Sequence, residues 1–209
     1  TYTSLEGGFS GEKLPGVYKA IDYLISNTKK LLNMDTGKSE YIDFKDKKVV
    51  VLGGGDTAMD CNRTAIRQGA KSVTCLYRRD EKNMPGSRRE VKNAKEEGVI
   101  FNFNIQPIDI LGNKKVEGIK TVQTMLGDAD HNGRRIPIPV PDSEKIYDAD
   151  VVIVAFGFRA SPAEWFDDFD IKIKKDGLVI AEENQEFKFQ TTNKKAVSYT
   201  HLRAHETLN

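Results

Sequence analysis

The sequence predicts an α/β fold, a parallel sheet with a β-meander inserted into it, on three observations. Between residues 48 and 104, short apolar runs rich in β-branched residues alternate with amphipathic segments of helical length. The connections between them are short, which is typical of parallel strands joined by right-handed crossovers. After Pro107 the pattern changes to strands separated by turn residues, and residues 150–156 then form another buried apolar run.

Each element follows from its local pattern. Residues 1–16 are rich in Gly, Ser and Thr and predict a loop, whereas residues 17–32 carry apolar residues at helical spacing. Gly69 and Gly98 are placed to end the two inner helices, since glycine adopts the left-handed conformation there. The other predicted elements are a linker over 33–46, strands over 48–52, 72–77, 99–104 and 150–156, helices over 56–68 and 87–97, and meander strands over 109–111, 115–126 and 134–140.

Composition excludes several classes of protein. The 209 residues include 32 Lys and Arg against 31 Asp and Glu, so we expect no nucleic-acid partner. No apolar stretch approaches the roughly 20 residues that span a bilayer, and we expect no membrane partner. Cys61 and Cys75 are expected to be buried thiols in a reducing cytoplasm. We predict no metal site, because His201 and His205 lack acidic or cysteine partners.

The stretch VVVLGGGDTAMD indicates a dinucleotide site, because it places Gly53-x-Gly55-x-x-Ala58 between a strand and a helix. Gly53 permits a tight turn, Gly55 lets backbone approach a pyrophosphate, and Ala58 keeps the helix close to the strand. The helix N-terminus then faces the phosphates. The pattern is typical of a Rossmann-like sheet. Asp56 is either a helix cap or a ligand contact, and Thr57 either begins the helix or binds a phosphate.

The end of the second strand indicates which nucleotide is bound. NAD-preferring folds place Asp or Glu there for the ribose 2′-hydroxyl, but this strand ends in Arg78-Arg79. Guanidinium groups match a 2′-phosphate, so the pair predicts a preference for NADP over NAD. Asp80 follows immediately and complicates this interpretation. Glu90, on the next helix, is either close to the nicotinamide or an ordinary exposed carboxylate.

Three motifs carry a resemblance to a known family: GGGDTAMDC, LYRRDEKNMPGSRREVKNAKEEG and VVIVAFGF. They resemble the NADPH-binding region of the small (β) subunits of bacterial glutamate synthases, and the similarity runs from about residue 1 to residue 195. Dihydropyrimidine dehydrogenase, in its amino-terminal part, and adrenodoxin reductase-like flavoproteins share the architecture. The resemblance implies two interleaved dinucleotide-binding domains, one for FAD and one for NADPH.

The resemblance also implies domain boundaries in a truncated chain. Residues 1–46 would be a fragment of the FAD-binding domain with a linker, residues 47–157 the NADPH-binding domain, and residues 158–195 a return segment of the FAD-binding domain. We expect residues 196–209 to be a non-native tail, because AVSYTHLRAHETLN departs from the family and resembles a translated sequencing adapter. The FAD fingerprint and the cysteines for iron–sulfur clusters would precede Thr1. We therefore expect little activity from this chain alone.

The resemblance implies the following site residues: Gly53, Gly54, Gly55, Asp56, Thr57 and Ala58 at the pyrophosphate, Arg78 and Arg79 at the 2′-phosphate, Glu90 near the nicotinamide, and Ala155, Phe156 and Gly157 beside the gap between the cofactors. The implied activity is hydride transfer from NADPH to FAD without a catalytic side chain. Electrons would then cross iron–sulfur clusters to the glutamate synthase large subunit, which makes glutamate from glutamine and 2-oxoglutarate.

Two alternatives stay open from the sequence. The first is the same module in another FAD and iron–sulfur oxidoreductase, either dihydropyrimidine dehydrogenase-like or resembling a bifurcating NADPH:ferredoxin oxidoreductase. The second is a nucleotide-binding domain without catalytic activity.

Overall fold

The computed structural model describes residues 2–34, 41–130, 133–181 and 189–198. Its strands are β1 (Tyr2–Ser4), β2 (Val17–Lys19), β3 (Lys48–Leu52), β4 (Ser72–Tyr77), β5 (Ile100–Phe103), β6 (Ile105–Leu111), β7 (Gly118–Ala129), β8 (Arg135–Pro139), β9 (Lys145–Asp148), β10 (Val151–Val154) and β11 (Phe158–Ala160). Its α-helices are α1 (Ala20–Leu31), α2 (Asp56–Arg67) and α3 (Arg88–Glu96), and 3₁₀ turns cover Glu81–Asn83 and Glu164–Phe169. The chain divides into two compact units, one of Ser4–Gly157 and one of Thr1–Thr3 with Phe158–Asn209.

A five-stranded parallel sheet organises the larger unit, in the order β2-β10-β3-β4-β5. Strand β10 lies between two partners: Val152 pairs with Val17 of β2 and with Val50 of β3. Helix α2 connects β3 to β4, and α3 connects β4 to β5. The predicted Rossmann-like parallel sheet is confirmed, and the return of the chain at β10 places a late strand between β2 and β3.

Both faces of this sheet are covered, which explains the uninterrupted apolar run of β3. Val49 and Val51 pack in a core with α1, α2 and α3. Val50 and Leu52 point to the opposite face and pack in a second core with residues of β6, β7 and β10. Because alternate strand residues point to opposite faces, the run had to be apolar throughout.

The predicted meander forms the layer on that opposite face. Strands β6, β7 and β8 pair antiparallel in sequence order, and β9 pairs with the first part of β7. Strand β7 covers Gly118–Ala129, so it begins and ends three residues later than the predicted strand over 115–126. Strand β9 was not predicted, because its Lys- and Asp-containing sequence is mostly exposed and obtains its pairing from β7. Residues 131–132, in the connection between β7 and β8, lie outside the described residues.

Two predicted elements near the start of the chain were wrong. Residues 2–4, predicted as loop, form β1, which pairs with β11. The predicted helix over 17–32 begins only at Ala20, because Val17–Lys19 form an edge strand on β10. Tertiary pairing overrides the helical spacing of these three residues. Strand β2 pairs in the parallel sheet and α1 packs against one of its faces, although both precede residue 47. The domain boundaries stay a prediction.

The smaller unit carries less regular structure. Trp165 packs its ring edge-on against Phe166 and Phe169, at centroid distances of 4.7 and 5.8 Å. Isolated bridges join Ile173 to Val179 and residue 190 to residue 197. Residues 199–209, most of the predicted tail, lie outside the described part of the chain. No helix among the described residues is long and apolar enough to span a bilayer.

Candidate dinucleotide-binding site

A cleft of about 510 Å³ opens at the carboxyl ends of β3, β4 and β10, within the larger unit. Ligands of open α/β sheets bind at this edge, and the volume lies in the range of roughly 300–1,000 Å³ of small-molecule sites. Nine of the predicted site residues line it: Gly53, Gly54, Gly55, Thr57, Arg78, Arg79, Ala155, Phe156 and Gly157. The fold therefore brings together three segments that are far apart in sequence.

The three glycines of the loop differ in what surrounds them. Gly53 has φ +140°, and a Cβ there would overlap the carbonyl oxygen of Ala155. A Cβ on Gly54 would lie 2.6 Å from the ring of Tyr77. A Cβ on Gly55 would meet no described atom within 4 Å, although Gly55 lines the cleft. Packing thus requires glycine at positions 53 and 54, whereas the space beside Gly55 is free.

The free space beside Gly55 suits a phosphate group. Gly55 precedes the first turn of α2 and offers that helix no capping side chain. The N–H groups of a first turn lack helical partners, and the helix dipole places positive potential there. An anion such as a pyrophosphate can accept these N–H groups at a position where no Cβ intrudes. The loop therefore fits the pyrophosphate of a dinucleotide.

Asp56 connects the loop to the next helix. Its Oδ1 accepts a hydrogen bond of 2.7 Å from the backbone N–H of Ser87, which precedes α3. Beside it, the N–H of Gly86 donates to the carbonyl oxygen of Gly54 at 2.8 Å. The sequence suggested that Asp56 is a helix cap or a ligand contact, and neither interpretation includes the bond to Ser87. Ala58 is fully buried, as close packing of the helix on the strand requires.

Arg78 and Arg79 are held through their backbone by the meander. The hydroxyl of Thr124 donates to the carbonyl oxygen of Arg78 at 2.8 Å, and the N–H of Asn104 donates to that of Arg79 at 3.0 Å. The Nε of Arg79 donates to the carbonyl oxygen of Arg135 at 2.5 Å. Burial, together with the charge of Arg79, lowers the pKa of Arg78. Two adjacent cations that line one cleft favour the binding of an anion.

Asp80 forms its hydrogen bonds within the turn that follows this pair. Its Oδ1 accepts hydrogen bonds from the N–H of Asn83 at 2.9 Å and from the Nδ2 of the same residue at 2.7 Å. The hydrogen bonds from Asn83 hold the pKa of Asp80 below its usual range. The carboxylate thus caps the 3₁₀ turn over Glu81–Asn83.

Glu90 lies in an ion-pair network between α2 and α3. It pairs with Arg63, which also donates from Nε to Glu97 at 2.8 Å. Glu97 in turn accepts from Arg67 at 2.7 Å. The position that the resemblance implies for Glu90, near the nicotinamide, stays a prediction.

Sequence reasoning missed several residues of the cleft. Tyr77 lies beneath Gly54, and its hydroxyl donates to the carbonyl oxygen of Asn83 at 2.8 Å. Arg134, from the turn between β7 and β8, lines the cleft together with Arg78 and Arg79. Tyr77 could have been inferred from its position at a strand end. Arg134 carried no local signal, because only the pairing of the meander brings it to the site.

The two cysteines are both fully buried, as predicted. The Sγ of Cys75 lies 3.3 Å from the carbonyl oxygen of Gly53 and donates to it, so this thiol supports the glycine loop from below. Within the described ranges, no group of three or more His, Cys, Asp or Glu side chains could hold a metal ion. His201 and His205 lie outside those ranges.

Comparison with known proteins identifies the family. Residues 8–197 match the family model for pyridine nucleotide-disulphide oxidoreductases. The chain belongs to this family. This pyridine nucleotide-disulphide oxidoreductase chain is 58% identical over 195 residues to the glutamate synthase [NADPH] small chain of Halomonas elongata, covering 93% of this chain and 41% of that protein. It is 53% identical to the Escherichia coli protein of the same name, at 93% and 42% coverage. These relatives confirm the resemblance that the motifs indicated.

Two further comparisons extend the picture. The putative oxidoreductase AegA of Escherichia coli is 48% identical, over 93% of this chain and 30% of that protein. The solved structure of Mycobacterium tuberculosis FprA in complex with NADPH superposes with a TM-score of 0.63 at 17% identity, covering 92% of this chain and 58% of that one. This likeness shows a shared fold. The pyridine nucleotide-disulphide oxidoreductase chain thus spans less than half the length of the curated relatives it matches.

Proposed function

We propose that this chain is the NADPH-binding module of a glutamate synthase small subunit. In the whole protein, hydride would pass from NADPH to FAD, and electrons would leave through iron–sulfur clusters. The partner would be the glutamate synthase large subunit, which makes glutamate from glutamine and 2-oxoglutarate, in the cytoplasm. The names and identities of the two small-chain relatives support the assignment. In this proposal residues 47–157 form the NADPH domain, and residues 1–46 and 158–195 belong to the FAD domain.

One observation carries the nucleotide assignment. Gly55 lines the same cleft as Arg78 and Arg79, and the space beside it is open. A pyrophosphate at the glycine loop and a 2′-phosphate at the arginine pair are the two anionic groups of NADPH. A carboxylate at the end of β4 would favour NAD, but the one that follows the pair, Asp80, is bonded to Asn83. The cleft therefore suits a dinucleotide with an additional phosphate.

The protein contributes binding, orientation and exclusion of water. A bound nicotinamide would supply hydride chemistry, the transfer of two electrons and one proton, to the flavin of the whole protein. The glycine loop and the N-terminus of α2 hold the pyrophosphate end of the site. Phe156 packs edge-on against Phe9 with a centroid distance of 6.3 Å, and both rings line the cleft. These apolar side chains, together with Ala155 and Gly157, reduce access of water to the part of the cleft that follows β10.

Calorimetry with the purified chain tests the nucleotide assignment. We expect NADPH to bind at least about tenfold more tightly than NADH, because a hydrogen bond to a charged group contributes about 1.5–3 kcal/mol. Arg78→Ala should remove most of this difference, and Lys114→Ala, at an exposed site outside the cleft, should not change it. Equal affinity for the two nucleotides in the unmodified chain would refute the assignment.

The assignment to glutamate synthase needs a separate experiment. A full-length protein that contains this sequence should be purified with its large subunit and supplied with NADPH, glutamine and 2-oxoglutarate. Two glutamates per NADPH oxidised are expected. NADPH oxidation that reduces other acceptors without glutamate formation would support a related FAD and iron–sulfur oxidoreductase. The 48% identity to the putative oxidoreductase AegA supports only that the alternative is an oxidoreductase. NADPH binding without flavin reduction in that protein would indicate a non-catalytic domain.

A further inference from the structure

We infer that Arg134 is a third binding group for the 2′-phosphate and that the meander thereby helps to determine nucleotide specificity. This inference rests on the proposed NADPH site and adds a residue that neither the glycine motif nor the end of β4 indicates. Arg134 lines the same cleft as Arg78 and Arg79. It comes from the turn between β7 and β8, on the far side of the parallel sheet from α2 and α3.

The backbone of Arg134 is fixed at this position. Its N–H donates to the Oδ1 of Asp130 at 2.9 Å, and its carbonyl oxygen accepts from the N–H of Asp130 at 2.8 Å. The carbonyl oxygen of the next residue, Arg135, accepts a hydrogen bond of 2.5 Å from the Nε of Arg79. One short segment thus contacts the arginine pair directly and presents another arginine beside it.

The guanidinium groups of Arg134 and Arg135 differ in their hydrogen bonds. The guanidinium of Arg135 donates to the carbonyl oxygens of Gly127 at 2.6 Å and of Leu126 at 3.3 Å, so it stabilises the hairpin. Arg134 is exposed, and no hydrogen bond of its guanidinium is found among the described residues. Its donors therefore remain available to a ligand in the cleft.

Charge in the cleft favours an external anion. Within the described part of the chain, none of the ion pairs includes Arg78, Arg79 or Arg134. Glu6 lines the same cleft, but its carboxylate pairs with Lys19 at 3.2 Å. Three cations with no carboxylate partner repel each other, and a phosphate with two negative charges can accept hydrogen bonds from all three. The pyrophosphate has its own place at the glycine loop, so the 2′-phosphate is the group that remains.

Calorimetry with two adenosine nucleotides separates this role from others. The probes are 2′,5′-ADP, which carries a 2′-phosphate and a 5′-phosphate, and 5′-AMP, which lacks only the 2′-phosphate. Arg134→Ala should weaken 2′,5′-ADP binding about five- to tenfold, as loss of one exposed charge-assisted hydrogen bond predicts, and should change 5′-AMP binding less than twofold. Arg134→Lys should retain part of the affinity for 2′,5′-ADP. Lys114→Ala, an exposed cation in the turn between β6 and β7, should leave both affinities unchanged.

Each other result has a definite meaning. Equal weakening of both probes by Arg134→Ala would place this side chain at the adenine or the 5′-phosphate and overturn the inference. Unchanged binding of both probes by Arg134→Ala would overturn the inference as well. In that case, a loss of 2′,5′-ADP binding in Arg78→Ala would still support the proposed NADPH site. If the unmodified chain does not prefer 2′,5′-ADP over 5′-AMP, the proposed function itself fails. A urea unfolding curve for Arg134→Ala that matches the unmodified chain shows that the hairpin is retained.

Discussion

The carboxylate of Asp56 accepts a hydrogen bond of 2.7 Å from the backbone N–H of Ser87 and so joins the glycine loop to the start of α3. Together with the bond from the N–H of Gly86 to the carbonyl oxygen of Gly54, it fixes the loop from the side. Two helices, α2 and α3, therefore begin at one edge of the cleft in a fixed relation. The position of the glycine loop depends on this contact as well as on the strand that precedes it.

Replacement of Asp56 should destabilise the fold through this bond. We expect Asp56→Ala to lower the free energy of unfolding by about 1–2 kcal/mol, because an N–H beside α3 loses its acceptor. Asp56→Asn retains an acceptor oxygen and should cost about 0.5 kcal/mol, mostly from the lost charge at the first turn of α2. Urea unfolding at neutral pH measures both. Equal costs for the two variants would show that the charge of Asp56, and not its bond to Ser87, stabilises the fold.

The ion pairs of Glu97 predict a pH-dependent contribution to stability. Hydrogen bonds and charge from Arg67 and Arg63 lower the pKa of Glu97 in the folded chain. A lowered folded-state pKa contributes stability above the unfolded value of about 4.3, and this contribution is lost as pH falls through the folded-state pKa. Glu97→Gln should therefore cost roughly 0.5–1 kcal/mol at pH 7, and the difference should shrink below about pH 4.

A neighbouring carboxylate on the same helix provides the control. Glu96 pairs with Lys92 at 3.7 Å, and its side chain is 63% exposed. Glu96→Gln should change the free energy of unfolding by less than about 0.5 kcal/mol at either pH. If the two variants lose the same stability at pH 7, the network between α2 and α3 contributes nothing beyond an ordinary surface ion pair.

The two thiols should be unreactive in the folded protein. Burial raises the pKa of Cys75 to about 12, and burial also raises that of Cys61, so almost no thiolate is present at neutral pH. We expect Ellman's reagent to modify neither cysteine until urea unfolds the chain, and both to react afterwards. A Lys114→Cys variant, exposed in the turn after β6, should react at once and shows that the reagent is active. Rapid reaction of a native thiol in the unmodified chain would contradict the buried position of both.

Those parts of the site that depend on a few adjacent residues could be predicted from the sequence. The strand before Gly53, the helix after Gly55 and the arginines at the end of β4 each follow from a few adjacent residues, and the structure places them at one edge of the sheet. Their convergence could be predicted because the carboxyl ends of parallel strands meet there.

Other parts depend on pairing that no local pattern specifies. Val17–Lys19 have helical spacing, and they form a strand only because β10 lies beside them. Arg134 reaches the cleft only through the pairing of β7 with β8. The bond from Asp56 to Ser87 requires α3 to begin beside the loop, and the sequence of the loop contains no information on that distance.

The glycines of the loop allow structural and binding roles to be separated by one substitution each. A Cβ on Gly53 would overlap the carbonyl oxygen of Ala155, and its φ of +140° is unfavourable for alanine. Gly53→Ala should therefore lower the free energy of unfolding by about 1–3 kcal/mol. Gly55 has φ −89° and no described atom within 4 Å of the Cβ position, so Gly55→Ala should unfold at nearly the same urea concentration as the unmodified chain.

Binding should show the opposite sensitivity. The methyl group of Gly55→Ala would occupy the space in the cleft where backbone approaches the pyrophosphate, so we expect NADPH affinity to fall at least about tenfold in a folded protein. The measurement is calorimetry with NADPH, paired with a urea unfolding curve for the same sample. Because 5′-ADP also carries the pyrophosphate, its binding should weaken by a similar factor, unlike the selective loss expected for Arg134→Ala. A Gly55→Ala variant that retains full NADPH affinity would show that the open space beside this glycine does not receive the pyrophosphate, and the loop would then serve packing alone.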